Sequence, residues 1–248
     1  MKRLLSGKVL GIVLAVLAIG GYIFVSWASD ALPADGTALQ ALESDEQVVV
    51  KEESGLITFE PVNAEFDTGF IFYPGGRVDY RAYAPVLSQI AGRRYFVALV
   101  PMPLNMALFN VDAANQVIEL YPGIQQWAVG GHSLGGVAAS RFVANETGAV
   151  QGVVLWAAYP GNDSLANADI KVMSIYGTND IAGMEPFDES RAQLPVDTEF
   201  VVIEGGNHAQ FGSYGPQPGD NPATISPEEQ WTQIAEATVR FLESLNNE

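Results

Sequence analysis

The sequence predicts an α/β architecture: a mostly parallel, twisted sheet with helices on both faces, preceded by an N-terminal membrane helix. Three observations lead there. From residue 48 onward, short β-branched or aromatic runs alternate with segments of helical periodicity, the pattern of a sheet covered on both sides. Ahead of that stretch lies one uncharged apolar run, residues 9–25. The 248 residues, 48% of them hydrophobic, suffice for one large domain with a substantial core and are too few for two comfortable ones.

Residues 1–28, MKRLLSGKVLGIVLAVLAIGGYIFVSWA, place a basic head (Lys2, Arg3, Lys8) before the apolar run. With its flanking Ser-Trp-Ala the run is about 20 residues long, about 30 Å as a helix, which matches the hydrocarbon core of a bilayer. A signal peptide shares this plan, and Ser26-Trp27-Ala28 would serve as a small-x-small cleavage site. The run exceeds the roughly 7–15 residues of a signal h-region, so an uncleaved single-pass anchor is expected, with secretion after cleavage as the alternative. In both cases the basic head stays inside and the acidic body is exported. Residues 29–47 (SDALPADGTALQALESDEQ) are acidic and lack aromatics, and read as a linker with one short helical turn at 38–42. The domain proper spans 48–248.

Its elements follow in order. VVV at 48–50 and LITF at 56–59, separated by Glu53-Ser54-Gly55, form an opening hairpin. A strand at 69–73, a helix at 80–91, a strand at 95–100 and a helix at 104–120 come next, the last with Val111 and Val117 as weak points. A strand at 126–129 and a helix at 134–144 flank a cluster of glycines. Strands at 150–156, 170–176 and 198–203 precede a closing helix at about 227–245. Ser226 is its expected N-cap, and Glu228 and Glu229 suit the helix dipole in its first turn. In open parallel sheets ligands gather at the carboxyl ends of the strands, so chemistry is sought in the residues just after each strand.

Composition narrows that chemistry. The absence of cysteine excludes disulfides, thiolate metal sites and a cysteine nucleophile. A net charge of -17 argues against a nucleic-acid partner, because phosphate neutralisation needs a Lys/Arg surface. Three of the twelve basic residues lie in the first eight, so the remainder is more acidic still; this reads as a solvated, self-repelling surface.

Between a strand and a helix stands Gly131-His132-Ser133-Leu134-Gly135, a G-x-S-x-G sequence. Side chains two positions before and after the serine would clash in the tight turn such a motif needs, and Gly136 adds room for the helix to approach the sheet. The base follows by elimination. Of the two histidines, His132 adjoins Ser133 and is badly aimed at its hydroxyl, whereas His208 lies in a glycine-rich loop after the strand at 198–203. An acid must orient that imidazole. Asp180 follows the preceding strand and completes the order Ser133, Asp180, His208; Asp163 is the second candidate and Asp188 the third. The oxyanion site requires two backbone N–H groups. Leu134, after the nucleophile, supplies one. Gly76, in Tyr73-Pro74-Gly75-Gly76-Arg77, is the expected second, with Gly75 or Arg77 next. Arg77 is also a candidate for a substrate carboxylate, and Phe211 and Tyr214, in the Gly/Pro-rich loop 211–223, are candidates to pack on a substrate.

YPGGRVDYRAYAP, GGHSLGG, YGTND and EGGNHAQFGSYG together resemble the α/β-hydrolase superfamily over about residues 48–245, and within it the small lidless bacterial α/β-hydrolase fold-5 group, related to dienelactone hydrolases. The resemblance implies an α/β-hydrolase fold and the Ser-Asp-His set. Two departures stand out: Pro74-Gly75 replaces the usual His-Gly of the oxyanion loop, and Ser133 stands where dienelactone hydrolases use cysteine. Residues 159–169 leave no space for a cap domain. The expected function is a serine hydrolase that cleaves a small-molecule ester or related acyl bond through an acyl-enzyme, outside the membrane, without cofactor or metal. The alternatives are an inactive hydrolase-fold binding module, and an acyltransferase or serine peptidase with the same residues.

Overall fold

The computed structural model describes residues 7–246. Helix α1 (Gly7–Ser29) contains the apolar run, and over Val9–Ser29 it is long and apolar enough to cross a membrane, with a mean hydropathy of 2.5. Lys2 and Arg3 of the basic head lie outside the described residues. Short helix α2 (Gly36–Gln40) follows, two residues ahead of the expected turn because Asp35 caps it by accepting the Ala38 N–H.

Eight strands form one sheet: β1 (Val48–Glu53), β2 (Leu56–Pro61), β3 (Thr68–Tyr73), β4 (Phe96–Leu99), β5 (Gln126–His132), β6 (Gly152–Trp156), β7 (Lys171–Gly177) and β8 (Glu199–Ile203). Their order is β1-β2-β4-β3-β5-β6-β7-β8. The β1–β2 hairpin pairs antiparallel, β2 pairs antiparallel with β4, and all remaining pairs are parallel. Helices α3 (Ala84–Ala91) and α7 (Pro227–Leu245) cover one face, whereas α4 (Ala113–Leu120) and α5 (Leu134–Asn145) cover the other. Strand periodicity divides the core accordingly. Phe70 and Phe72 of β3 and Val154 and Trp156 of β6 join the α3/α7 side; Ile71, Tyr73, Val153 and Leu155 face α4 and α5. Helix α6 (Glu185–Ser190) was not expected from the sequence; it stacks Phe187 on Tyr176, with ring centroids 4.3 Å apart.

Two other segments depart from expectation. The helix anticipated at 104–120 survives only as α4. Before it, Leu104 and Asn105 adopt φ values of 52° and 54°, and the Asn105 carbonyl accepts the Arg77 N–H at 2.9 Å. Tertiary bonding there overrides helical periodicity, and Tyr73 Oη anchors the start of α4 by donating to Val111 O and accepting the Ala114 N–H. Residues 29–47, expected as a linker, instead lie against the sheet domain. Leu32 bridges to Val78, the Asp35 N–H donates to Ser213 O, and Ala38 is fully buried. Acidity marked this segment as solvated, but its alanines and Leu32 supply apolar contacts.

Helix α7 is held at its start by Ser226, whose Oγ accepts the Glu229 N–H at 3.1 Å. Ser226→Ala is expected to cost about 1 kcal/mol of stability. Urea unfolding should show a lower midpoint with an unchanged slope.

Candidate active site

Strand β5 delivers the chain into a turn at whose apex Ser133 has φ 51° and ψ -119°, outside the regions that L-residues favour. The flanking glycines make this possible. A Cβ on Gly131 would collide with the Gly135 backbone, and one on Gly135 with the Tyr73 carbonyl, so no side chain fits where β3, β5 and the start of α5 converge. The Ser133 N–H donates to Trp156 O at 2.9 Å, tying the apex to β6.

The loops after β7 and β8 bring the next two residues together. Asp180 is fully buried, and its Oδ2 lies 2.8 Å from His208 Nδ1; its Oδ1 accepts the Ala182 N–H at 2.9 Å. With Nδ1 engaged, Nε2 is the His208 nitrogen left for other work. The loops are laced to each other, because the Asn179 N–H donates to Gly206 O and the Thr178 N–H to Ile203 O. Gln230 of α7 braces them from behind. Fully buried, it accepts the Asn207 N–H at 3.0 Å and donates to Asn207 O at 2.8 Å. This residue was missed in the sequence, where the one available signal was an amide on the apolar face of an amphipathic helix. Asp163 and Asp188, the other candidate acids, are exposed, and Asp188 pairs with Arg191.

Ser133 and His208 share the walls of two cavities. One, of about 490 Å³, is bounded also by Asp30, Leu32, Gly76, Arg77 and Gln217. The other, of about 360 Å³, is largely apolar, with Val137, Ala158, Ile181 and Phe187 among its walls. No Ser133–His208 hydrogen bond forms among the described residues; such bonds often tighten only when a substrate is in place. A further cavity of about 510 Å³ lies behind the His208 loop and does not include Ser133.

The donors near Ser133 sort themselves by what they already bond. The Gly75 N–H donates to Tyr83 Oη at 3.0 Å, and the Arg77 N–H donates to Asn105 O. Neither is available to a ligand. The Gly76 N–H has no acceptor among the described residues, and a Cβ built at Gly76 would lie 3.0 Å from Leu134 Cδ2, which brings this loop against the first turn of α5. The Leu134 N–H belongs to that first turn, where amides have no partner within the helix.

Of the three expected substrate contacts, Arg77 lines the cavity with Ser133 but its guanidinium is already engaged, and the two aromatics lie outside that lining. The Arg77 guanidinium donates to Trp27 O and Asp30 O and sits over the Trp27 ring, 4.6 Å from its centroid. Phe211 is fully buried with its ring stacked on His132, and Tyr214 is buried with its hydroxyl donating to Gln217. These aromatics support the wall from within; from loop 211–223, Gln217 and Pro218 reach the cavity beside Ser133. In a loop rich in glycine and proline, aromatic residues are poor guides to exposure, because the loop folds back on its own side chains.

His132 has a structural part. Tyr83 Oη, having accepted the Gly75 N–H, donates to His132 Nδ1 at 2.8 Å. Burial holds the His132 pKa well below its usual 6.5, and the neighbouring His208, 4.5 Å away between ring centroids, acts in the same direction. His132 therefore stays neutral. A second cation there would oppose charge on His208 by about 4 kcal/mol at an effective dielectric of about 20.

With this geometry in hand, comparisons with known proteins become informative. Residues 69–232 match the model of the alpha/beta hydrolase family. Among solved structures, the chain resembles a dienelactone hydrolase from Anabaena variabilis at 17% identity, with a TM-score of 0.58 over 81% of this chain and 97% of that one. It also resembles a thermophilic esterase from Thermogutta terrifontis with butyrate bound (13% identity, TM-score 0.55, 81% and 95% coverage). The esterase domain of a Rhodothermus marinus protein is similar as well (13%, 0.58, 79% and 96%). Comparison with curated proteins finds no match.

Two outcomes are expected from this arrangement. The unfolded chain protonates His132 near pH 6.5 while the folded chain resists, so its contribution is complete above that pH. It is lost as pH falls below, at up to about 1.4 kcal/mol per pH unit. Urea midpoints measured between pH 7 and pH 5 should fall less steeply for His132→Gln than for the wild type; parallel curves would refute the assignment. Gln230→Leu strands the Asn207 N–H and C=O without partners and should lower stability by about 2 kcal/mol, read as a lower urea midpoint.

Proposed function

The chain belongs to the alpha/beta hydrolase family, and we propose that it is a serine esterase, acting on small acyl esters through Ser133, His208 and Asp180 on the outer side of a membrane that α1 anchors. The observation that carries this reading is the buried Asp180–His208 bond, set beside a serine at a strained strand-to-helix apex with two unengaged amides next to it. Esterases among the similar folds are in keeping with it.

In this mechanism Ser133 Oγ attacks the carbonyl carbon while His208 Nε2 takes its proton, and the C=O electron pair moves to oxygen. The Leu134 and Gly76 N–H groups receive that oxyanion. Asp180 stabilises the imidazolium through Nδ1, and the neutral state of His132 spares it a neighbouring positive charge. Collapse of the intermediate breaks the ester C–O bond, and the imidazolium gives its proton to the leaving alcohol. Water, deprotonated by His208, then attacks the acyl-serine and returns the free hydroxyl and a carboxylic acid.

The apolar cavity of about 360 Å³ beside Ser133 suits an acyl chain. Loops after β6, β7 and β8 line it, and residues 159–169, where a cap would be inserted, hold one short 3-10 turn, Asp163–Leu165. This interval leaves the site uncapped.

Hydrolysis of p-nitrophenyl butyrate tests the reading. Ser133→Ala and His208→Ala should each lower kcat by roughly 10^4-fold or more, and Asp180→Asn by about 10^4-fold with KM little changed. Circular dichroism should show all three folded. Wild-type protein with no hydrolysis, or Ser133→Ala with full activity, would contradict the proposal.

A further inference from the structure

The cavity that contains Ser133 has an unexpected wall. Part of it is built from Asp30, Ala31, Leu32 and Pro33, the four residues that follow α1. Membrane-span candidate and reaction centre are thus separated by the width of one cavity.

The end of α1 is held in place by the site's own loops. The last carbonyls of a helix lack partners within it. Here Trp27 O accepts from Arg77 Nε at 2.9 Å, and Ala28 O accepts from Asn105 Nδ2 at 3.3 Å. Both donors come from loops that follow strands, β3 and β4, at the carboxyl edge of the sheet, and Arg77 directly follows the candidate oxyanion donor Gly76. A third contact sets the depth. The Phe24 ring meets the Phe109 ring edge-on at 6.0 Å, and Phe109 remains 53% exposed. Phe24 lies within the span, about 7 Å along the helix axis from its end at Ser29. The body of the protein therefore reaches, through Phe109, the level of the span's outer turns, on the same edge that carries Ser133.

We infer that this edge rests on the bilayer surface and that the substrate is an uncharged acyl ester held in the membrane, delivered to Ser133 across the wall formed by residues 30–33. This rests on the esterase reading above and specifies its substrate class. The wall also selects by charge. Its cation, Arg77, is taken up by Trp27 O, Asp30 O and the Asp30 carboxylate, so an anionic headgroup finds Asp30 and no free positive partner among the residues that line this cavity. The apolar cavity on the opposite side of Ser133 would take the acyl chain once it leaves the lipid.

The chain has no cysteine, which allows single-site labelling. In the full chain reconstituted into phosphatidylcholine vesicles, a polarity-sensitive fluorophore on Phe109→Cys should report a bilayer environment. The same fluorophore on Val196→Cys, fully exposed just ahead of β8 at the opposite edge, should report water. Hydrolysis is then compared for umbelliferyl acetate in solution and a long-chain umbelliferyl ester dissolved in the vesicles. Phe109→Glu should slow cleavage of the vesicle-borne ester by about tenfold and leave the soluble ester unchanged. A water-like signal at Phe109, or equal cleavage of the vesicle ester by wild type and Phe109→Glu, overturns the inference. If neither ester is cleaved, retained fluorophosphonate labelling overturns the membrane-borne substrate alone, whereas loss of labelling also overturns the esterase reading beneath it.

Discussion

The backbone of Ser133 is the constraint on which the rest of the site depends. A residue held at φ 51° and ψ -119° carries a conformational cost of about 1–3 kcal/mol, and it persists only because its surroundings permit no other path. Strand β5 arrives paired on both sides, α5 departs with its first turn pressed against Tyr73 and Pro74, and glycines at 131 and 135 are the only residues that fit between them. The Ser133 N–H, bonded to Trp156 O, closes the remaining freedom. The hydroxyl is thereby held at the carboxyl edge of the sheet, in reach of the loops after β3, β7 and β8.

Those loops reach the serine with different kinds of support. The pair from β7 and β8 is stitched by backbone bonds and braced by Gln230, so the Asp180–His208 contact is buried and stiff. The loop after β3 is held through Tyr83 and His132 on one side and through Arg77 on the other. Engaging Gly75 and Arg77 singles out Gly76 as the amide still able to bond. Arg77 also connects this loop to α1: its backbone N–H bonds Asn105 O, and its guanidinium caps the helix ahead of the domain. Helix α1 and the candidate site are mechanically one assembly.

Much of this was legible in the sequence, and the exceptions share a cause. Strands came within about three residues of their expected ends, because alternation over β3 and β6 reflects a core on both faces. That Ser133, Asp180 and His208 would meet at one edge of the sheet was legible because each lies within a few residues of a strand end and because histidine is scarce. What could not be read were residues whose surroundings come from distant chain. Leu104 and Asn105 follow a helical pattern but are drawn out of it by Arg77 and Ala28. Phe211 and Tyr214 look like wall residues by composition, yet they pack inward on His132 and Tyr83. Gln230 and the docked segment 29–47 show the same limit: polarity suggested solvent, and tertiary contacts buried them in part.

Covalent trapping tests the central claim most directly. Folded wild-type protein treated with diisopropyl fluorophosphate should gain one phosphoryl adduct by intact mass, and peptide sequencing by tandem mass spectrometry should locate it on Ser133. An adduct on another serine, or none on a folded chain, would contradict the account, because the strained apex, the imidazole and the two amides would then have no reaction to serve.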